Sequence, residues 1–157
     1  IVLAAGDDER VFKVVSSPAD YFYLAADDRP TGIHFPRLFA DHGVVGKASN
    51  GYSFRLLEIE RLLPLAGEAA ELGRILVRTY WEGCEKWANM GVNRGRLALY
   101  HIAQDPPTGL PASLIQAVSA LSDFIEEYPV QPDLLNPANL MMRRDGTLVL
   151  SDPVFLP

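Results

Sequence analysis

Leu134-Leu-Asn-Pro-Ala-Asn139-Leu-Met-Met-Arg-Arg-Asp145-Gly146-Thr-Leu-Val-Leu-Ser-Asp152-Pro153 decides how the chain is read. Leu140 to Met142 and Thr147 to Leu150 are two short apolar runs separated by Arg144-Asp145-Gly146, the pattern of a β-hairpin closed by a tight turn. A hairpin brings its two ends together, so Asn139 at its start and Asp152 just past its end become neighbours, with Asp133 close by. An amide oxygen and a carboxylate so placed suit a hard cation such as Mg²⁺, which favours oxygen ligands. Taken singly, Asp133, Asn136 and Asn139 also read as loop residues bonding their own backbone, and Asp145-Gly146 as a hairpin turn alone.

Upstream of this hairpin the periodicity is helical. Pro111 opens a helix whose apolar stripe is Leu114, Ile115, Val118, Leu121 and Ile125, ending near Pro129. Leu72, Ile75, Leu76, Tyr80, Cys84 and Trp87 recur at three- and four-residue steps and predict a long helix over 68–88. Between the two lie a Gly/Asn/Arg-rich break at Met90 to Gly95, the run Leu97 to Ile102, and a loop at Gln104 to Gly109.

The first third alternates instead. Ile1 to Ala5 and Val11 to Val15 read as strands about a polar turn at Gly6 to Glu9, with Lys13 on the second. A short helix is expected over Pro18 to Ala26. Phe35 to Val45 and Tyr52 to Ile59 read as two more strands, joined by a turn ending in Asn50-Gly51. The fold class is therefore α+β in one domain: an N-terminal antiparallel sheet over 1–65, then a mainly helical part over 66–157 with the hairpin at its end.

Composition bounds the function. With 157 residues, 48% apolar and 22% charged, the chain can bury a core of its own. A net charge of −6 with scattered Lys and Arg disfavours nucleic acid as the main partner. No apolar run approaches the roughly 18–20 residues that span a bilayer. Cys84, the single cysteine, gives no intramolecular disulfide, so cytoplasmic residence is expected. His34, His42, His101 and Cys84 lack the spacing of a zinc site and read as structural. Trp81 and Trp87, with Arg94 and Arg96, read either as a partner surface or as a buried Trp edge beside solvated arginines.

The 134–153 stretch resembles the catalytic-loop-to-metal-Asp segment of protein kinases and aminoglycoside-phosphotransferase relatives, in which the Asn and Asp are also thirteen residues apart. It is most similar to the host-takeover serine/threonine kinases of autographivirus-type podophages, where Asp-Pro replaces Asp-Phe-Gly, as in Ser151-Asp152-Pro153-Val154. Val11-Phe-Lys13-Val resembles the strand bearing the phosphate-binding Lys. Tyr52 to Glu60, with Glu58 and Glu60, resembles the strand running into the interlobe hinge, where backbone groups contact adenine. The resemblance implies a minimal protein-kinase-like fold, Mg-ATP as cofactor if nucleotide binding is retained, Asn139 and Asp152 as metal ligands, and Lys13 on the phosphates.

Three departures qualify that implication. The family's catalytic Asp falls five residues before the metal-binding Asn, at Leu134, so Asp133 serves as base only if the loop bulges by one residue. The glycine-rich loop that covers the phosphates is expected upstream of Ile1. No Glu stands where the Lys partner belongs, leaving Asp20 as candidate. The leading expectation is a degenerate kinase scaffold that binds and modulates a host or regulatory protein. The alternative is an active serine/threonine kinase with Asp133 as base, and a weaker one a small-molecule phosphotransferase.

Overall fold

The computed structural model describes residues 1–4 and 8–157, so Ala5 of the expected first strand and Gly6-Asp7 of the expected turn lie outside the described residues. The chain is mixed α+β, an N-terminal antiparallel sheet followed by helices. Strands β1 (Val2–Ala4), β2 (Arg10–Val15), β3 (Leu38–Lys47) and β4 (Ser53–Glu60) form one sheet in the order β1-β2-β4-β3. Lys13 sits in the middle of β2, opposite Val2 on one side and Leu57 on the other. At the far edge β3 shifts register three times against β4, and such bulges twist an exposed edge away from further pairing.

Helix α1 (Pro18–Ala25) follows β2. Its start is written locally: the Ser17 hydroxyl accepts from the Ala19 N–H at 3.2 Å, and Pro18 occupies the first turn, where its missing N–H costs nothing. Ala19, Tyr23 and Leu24 bury one face against the core that Val11, Val15, Leu57 and Ile59 supply from the sheet.

The helical part contains α2 (Gly67–Lys86), α3 (Arg94–Gln104) and α4 (Ala112–Glu127). In α2 the buried positions are Ala69, Gly73, Leu76, Tyr80 and Cys84, one stripe at three- and four-residue spacing. Gly83 lets α2 and α3 approach closely, since a Cβ there would lie 2.7 Å from the Ala98 Cβ. Pro111 is the N-cap of α4, which buries Leu114, Val118, Leu121 and Ile125 almost completely. No helix of the described residues is long and apolar enough to cross a membrane.

Short strands tie this part together. Strand β5 (Leu63–Pro64) pairs with β7 (Leu140–Met142), which pairs with β8 (Leu148–Leu150), while β6 (Gln131–Pro132) pairs with β9 (Val154–Phe155).

The expected strand beginning at Phe35 starts at Leu38 instead. Residues before it are held as a loop by groups far away in sequence. Buried Arg143, just after β7, donates to the carbonyls of Ile33 and Phe35 and forms a two-point ion pair with Glu60, at 2.9 Å from Nε to Oε2 and 2.6 Å from Nη2 to Oε1. His34 adds a second anchor. Its Nδ1–H donates to the Leu148 carbonyl at 2.7 Å, which leaves Nε2 to accept from the Ser113 hydroxyl at 2.9 Å. The hairpin is thus clamped to the N-terminal sheet.

Candidate functional site

The site begins where β7 and β8 start to zip. Their first pair is Leu140 with Leu150, so Asn139 and Ser151 face each other. The Ser151 N–H donates to the Asn139 carbonyl at 2.8 Å, and the Asp152 N–H reaches the same oxygen at 3.5 Å. The neighbours expected from the hairpin are neighbours in space.

The loop before them is stitched on three sides. Pro137–Asn139 is a single 3₁₀ turn capped by the Asn136 side chain, which accepts from the Ala138 N–H at 3.1 Å. The buried Asn139 amide donates from Nδ2 to the Asp133 carbonyl at 2.8 Å, leaving Oδ1 as an acceptor. The Asp133 N–H in turn donates to the Pro153 carbonyl at 2.7 Å.

Lys13 reaches this loop from the other half of the chain. Its Nζ lies 2.7 Å from Asp152 Oδ2, with side-chain exposures of 13% and 27%, so the pair is more shielded than an ordinary surface bridge. The other carboxylate oxygen, Asp152 Oδ1, is buried without a hydrogen-bond partner among the described residues. Asp20 on α1 belongs to the same electrostatic group. Its carboxyl is pushed up to about 6, first by burial and next by the charge of Asp152, while Lys13 pulls the other way. The α1 helix is fixed beside the hairpin by the buried Tyr23 hydroxyl, which donates to the Leu150 carbonyl. The sequence gives no sign of that bond beyond Tyr23 lying three residues after Asp20.

Leu134 is fully buried. Asp133 is partly exposed, and its Oδ1 accepts from the N–H groups of Leu135 at 2.9 Å and Asn136 at 3.3 Å. Asp133 also lines a surface cavity of about 680 Å³ between α2, the start of α3 and the β6–β9 pair, shared with Tyr80, Trp81, Cys84, Arg94, Leu135 and Phe155. Burial pushes the Tyr80 phenol far up, with the charges of Cys84 and Asp133 adding and Arg94 opposing. Burial likewise raises the Cys84 thiol, against the Tyr80 hydrogen bond and the Arg94 charge.

Glu58 and Glu60, expected at a nucleotide-binding hinge, have their carboxylates in ion pairs. Glu58 meets Arg10 at 2.9 Å and His42 at 3.2 Å, and these partners hold its carboxyl below its ordinary value. Glu60 pairs with Arg143, accepts from the Arg37 N–H at 3.0 Å, and donates its own N–H to the Arg37 carbonyl at 3.0 Å.

The tryptophans separate. Trp81 is half exposed at the cavity, whereas Trp87 stacks on His101 with centroids 5.2 Å apart and planes 7° off parallel. Arg96 is not a solvated arginine: it donates to the Tyr128 and Val130 carbonyls at 3.1 and 2.6 Å and closes the turn after α4.

Among the described residues no group of three or more His, Cys, Asp or Glu side chains is placed to hold a metal ion. Mg²⁺, however, commonly takes one or two protein carboxylates and completes its shell with water and substrate phosphate. The orphaned Asp152 Oδ1 beside Asn139 fits that smaller requirement: a buried carboxylate oxygen with no donor is costly, and a cation removes the cost. With Lys13 at its edge, the arrangement is suited to bind an anion through a cation and an ammonium. Comparison with protein-family models, with curated proteins and with solved structures finds no match to this chain.

Proposed function

We propose that the chain is a phosphotransferase working on Mg-nucleotide, and more particularly a kinase-like protein that phosphorylates serine or threonine hydroxyls. The observation that carries the reading is the meeting of Lys13, Asn139 and Asp152, contributed by segments more than a hundred residues apart, around a carboxylate oxygen with no hydrogen-bond partner among the described residues.

In this reading Asn139 and Asp152 would hold Mg²⁺, which would supply positive charge to the nucleotide phosphates. Lys13 leaves Asp152 for a phosphate oxygen. Asp133, rather than buried Leu134, orients the acceptor hydroxyl and takes its proton as the new oxygen–phosphorus bond forms and the bond to the departing ADP breaks. Support for Asp133 comes from the loop itself: Leu134 fills the core, the Asn139 side chain is bonded to the Asp133 main chain, and one carboxylate oxygen, Oδ2, makes no hydrogen bond among the described residues.

A second reading, a scaffold without catalysis that binds a host or regulatory protein, is favoured by the use of Asp133 Oδ1 as a cap for two backbone N–H groups. Labelled-ATP transfer to the protein itself and to a cell lysate separates them. The kinase reading expects transfer that disappears in Asp152→Ala and falls at least about a hundredfold in Asp133→Asn, the scale of a lost general base. Transfer that is absent, or that survives Asp152→Ala, rejects it.

A further inference from the structure

The cavity beside Asp133 has a chemical character that narrows its ligand, and the geometry points to a peptide segment whose serine or threonine is flanked by aromatic or large apolar residues. The inference rests on the phosphotransfer reading, since it takes this cavity as the acceptor site. At about 680 Å³ the cavity exceeds what a lone hydroxymethyl group would occupy and lies within the range of small-ligand sites.

Its accessible walls are apolar. Trp81, Leu135 and Phe155 are 49%, 41% and 46% exposed, which gathers open apolar surface around one carboxylate. Arg94 and Asp133 are the charged side chains among the described residues lining the cavity, one of each sign, so their charges offset each other. A neutral segment is therefore preferred over a strongly basic or acidic one. Asp133 supplies the only side-chain carboxylate among the described lining residues, and with Oδ1 held by two backbone N–H groups, Oδ2 remains to accept a hydroxyl proton. Trp and Phe offer ring faces at low entropic cost, which suits them to hold the residues on either side of that hydroxyl.

The test follows the indole N–H signals of the ¹⁵N-tryptophan-labelled chain, assigned with Trp87→Phe, during titration with the capped tripeptides Phe-Ser-Phe, Gly-Ser-Gly and Arg-Ser-Arg and with benzyl alcohol. The expected result is a saturable shift of the Trp81 signal by Phe-Ser-Phe while Trp87, stacked on His101, stays still. Binding should be about fivefold to tenfold weaker in Phe155→Ala and for the Gly and Arg peptides, the scale of one lost aromatic contact. The inference is overturned if Trp81 does not respond, if the three peptides bind alike, or if benzyl alcohol binds as tightly as the peptide. Labelled-ATP transfer to the same peptides tests the underlying reading separately: saturable binding at Trp81 without transfer upholds the ligand class and rejects the phosphotransferase.

Discussion

Replacing Arg143 by Met should cost more stability than any exposed-charge change in this chain. Arg143 is buried and makes a two-point bridge to Glu60 while donating to the carbonyls of Ile33 and Phe35. Met conserves much of the volume, so the loss is electrostatic. It strands the Glu60 carboxylate, which among the described residues keeps only the Arg37 N–H, and removes donors from two carbonyls. Breaking a buried pair from one side typically costs about 3–5 kcal/mol. For a domain of this size that corresponds to a melting-temperature fall of roughly 6–20 °C. Urea denaturation of Arg143→Met, Glu60→Leu and the double variant is the assay. The double variant should be more stable than Arg143→Met alone, because replacing both charges by apolar groups removes the stranded one. A cost below about 1 kcal/mol for Arg143→Met, or strictly additive losses, would refute the argument.

Other perturbations separate packing from chemistry. Leu134→Asp puts an aspartate at the position the kinase pattern favours, yet Leu134 is fully buried, so the variant should lose at least about 3 kcal/mol and gain no transfer activity; a stable, more active variant would show the loop is misread. Gly83→Ala should cost about 1–3 kcal/mol in denaturation, because the new methyl would meet Ala98, including its backbone Cα at 3.1 Å; a stabilised variant would contradict the close helix crossing. Asp20, pushed up to about 6 from 3.8 in the folded chain, binds its proton more tightly folded than unfolded. Its contribution is present below about pH 4 and is lost as pH rises through about 6, so Asp20→Asn should stabilise the nucleotide-free chain more at pH 8 than at pH 4.5. Equal effects at the two pH values would remove Asp20 from the Lys13–Asp152 group.

Local signals carried much of the architecture. Pro111 and the Leu114 to Ile125 stripe define α4 without help from the rest of the chain, and the β7–β8 hairpin follows from two apolar runs about Asp145-Gly146. Helix α3 is faint in the sequence because its buried face is Gly95, Ala98, Leu99 and Ile102: small residues carry the helical period where α2 and β6 press close, so the amphipathic contrast is weak. Strand β3 starts at Leu38 rather than Phe35 because Ile33, His34 and Phe35 answer to Arg143, Leu148 and Ser113, partners 79 or more residues away that no local pattern announces. At the site, spacing sufficed to pair Asn139 with Asp152, since a hairpin's geometry follows from its register. The Lys13 contact is tertiary, the unpartnered state of Asp152 Oδ1 depends on burial, and the cavity that joins Trp81 to Phe155 depends on the pairing of β9 with β6.

Calorimetric titration with ATP, with and without Mg²⁺, bears most directly on the reading of Lys13, Asn139 and Asp152 as one phosphate site. Binding should require Mg²⁺, be lost in Asp152→Asn, and weaken in Lys13→Met with the Mg²⁺ requirement retained. Binding that is absent in the unaltered chain, or that is indifferent to both Mg²⁺ and Asp152, would contradict that reading.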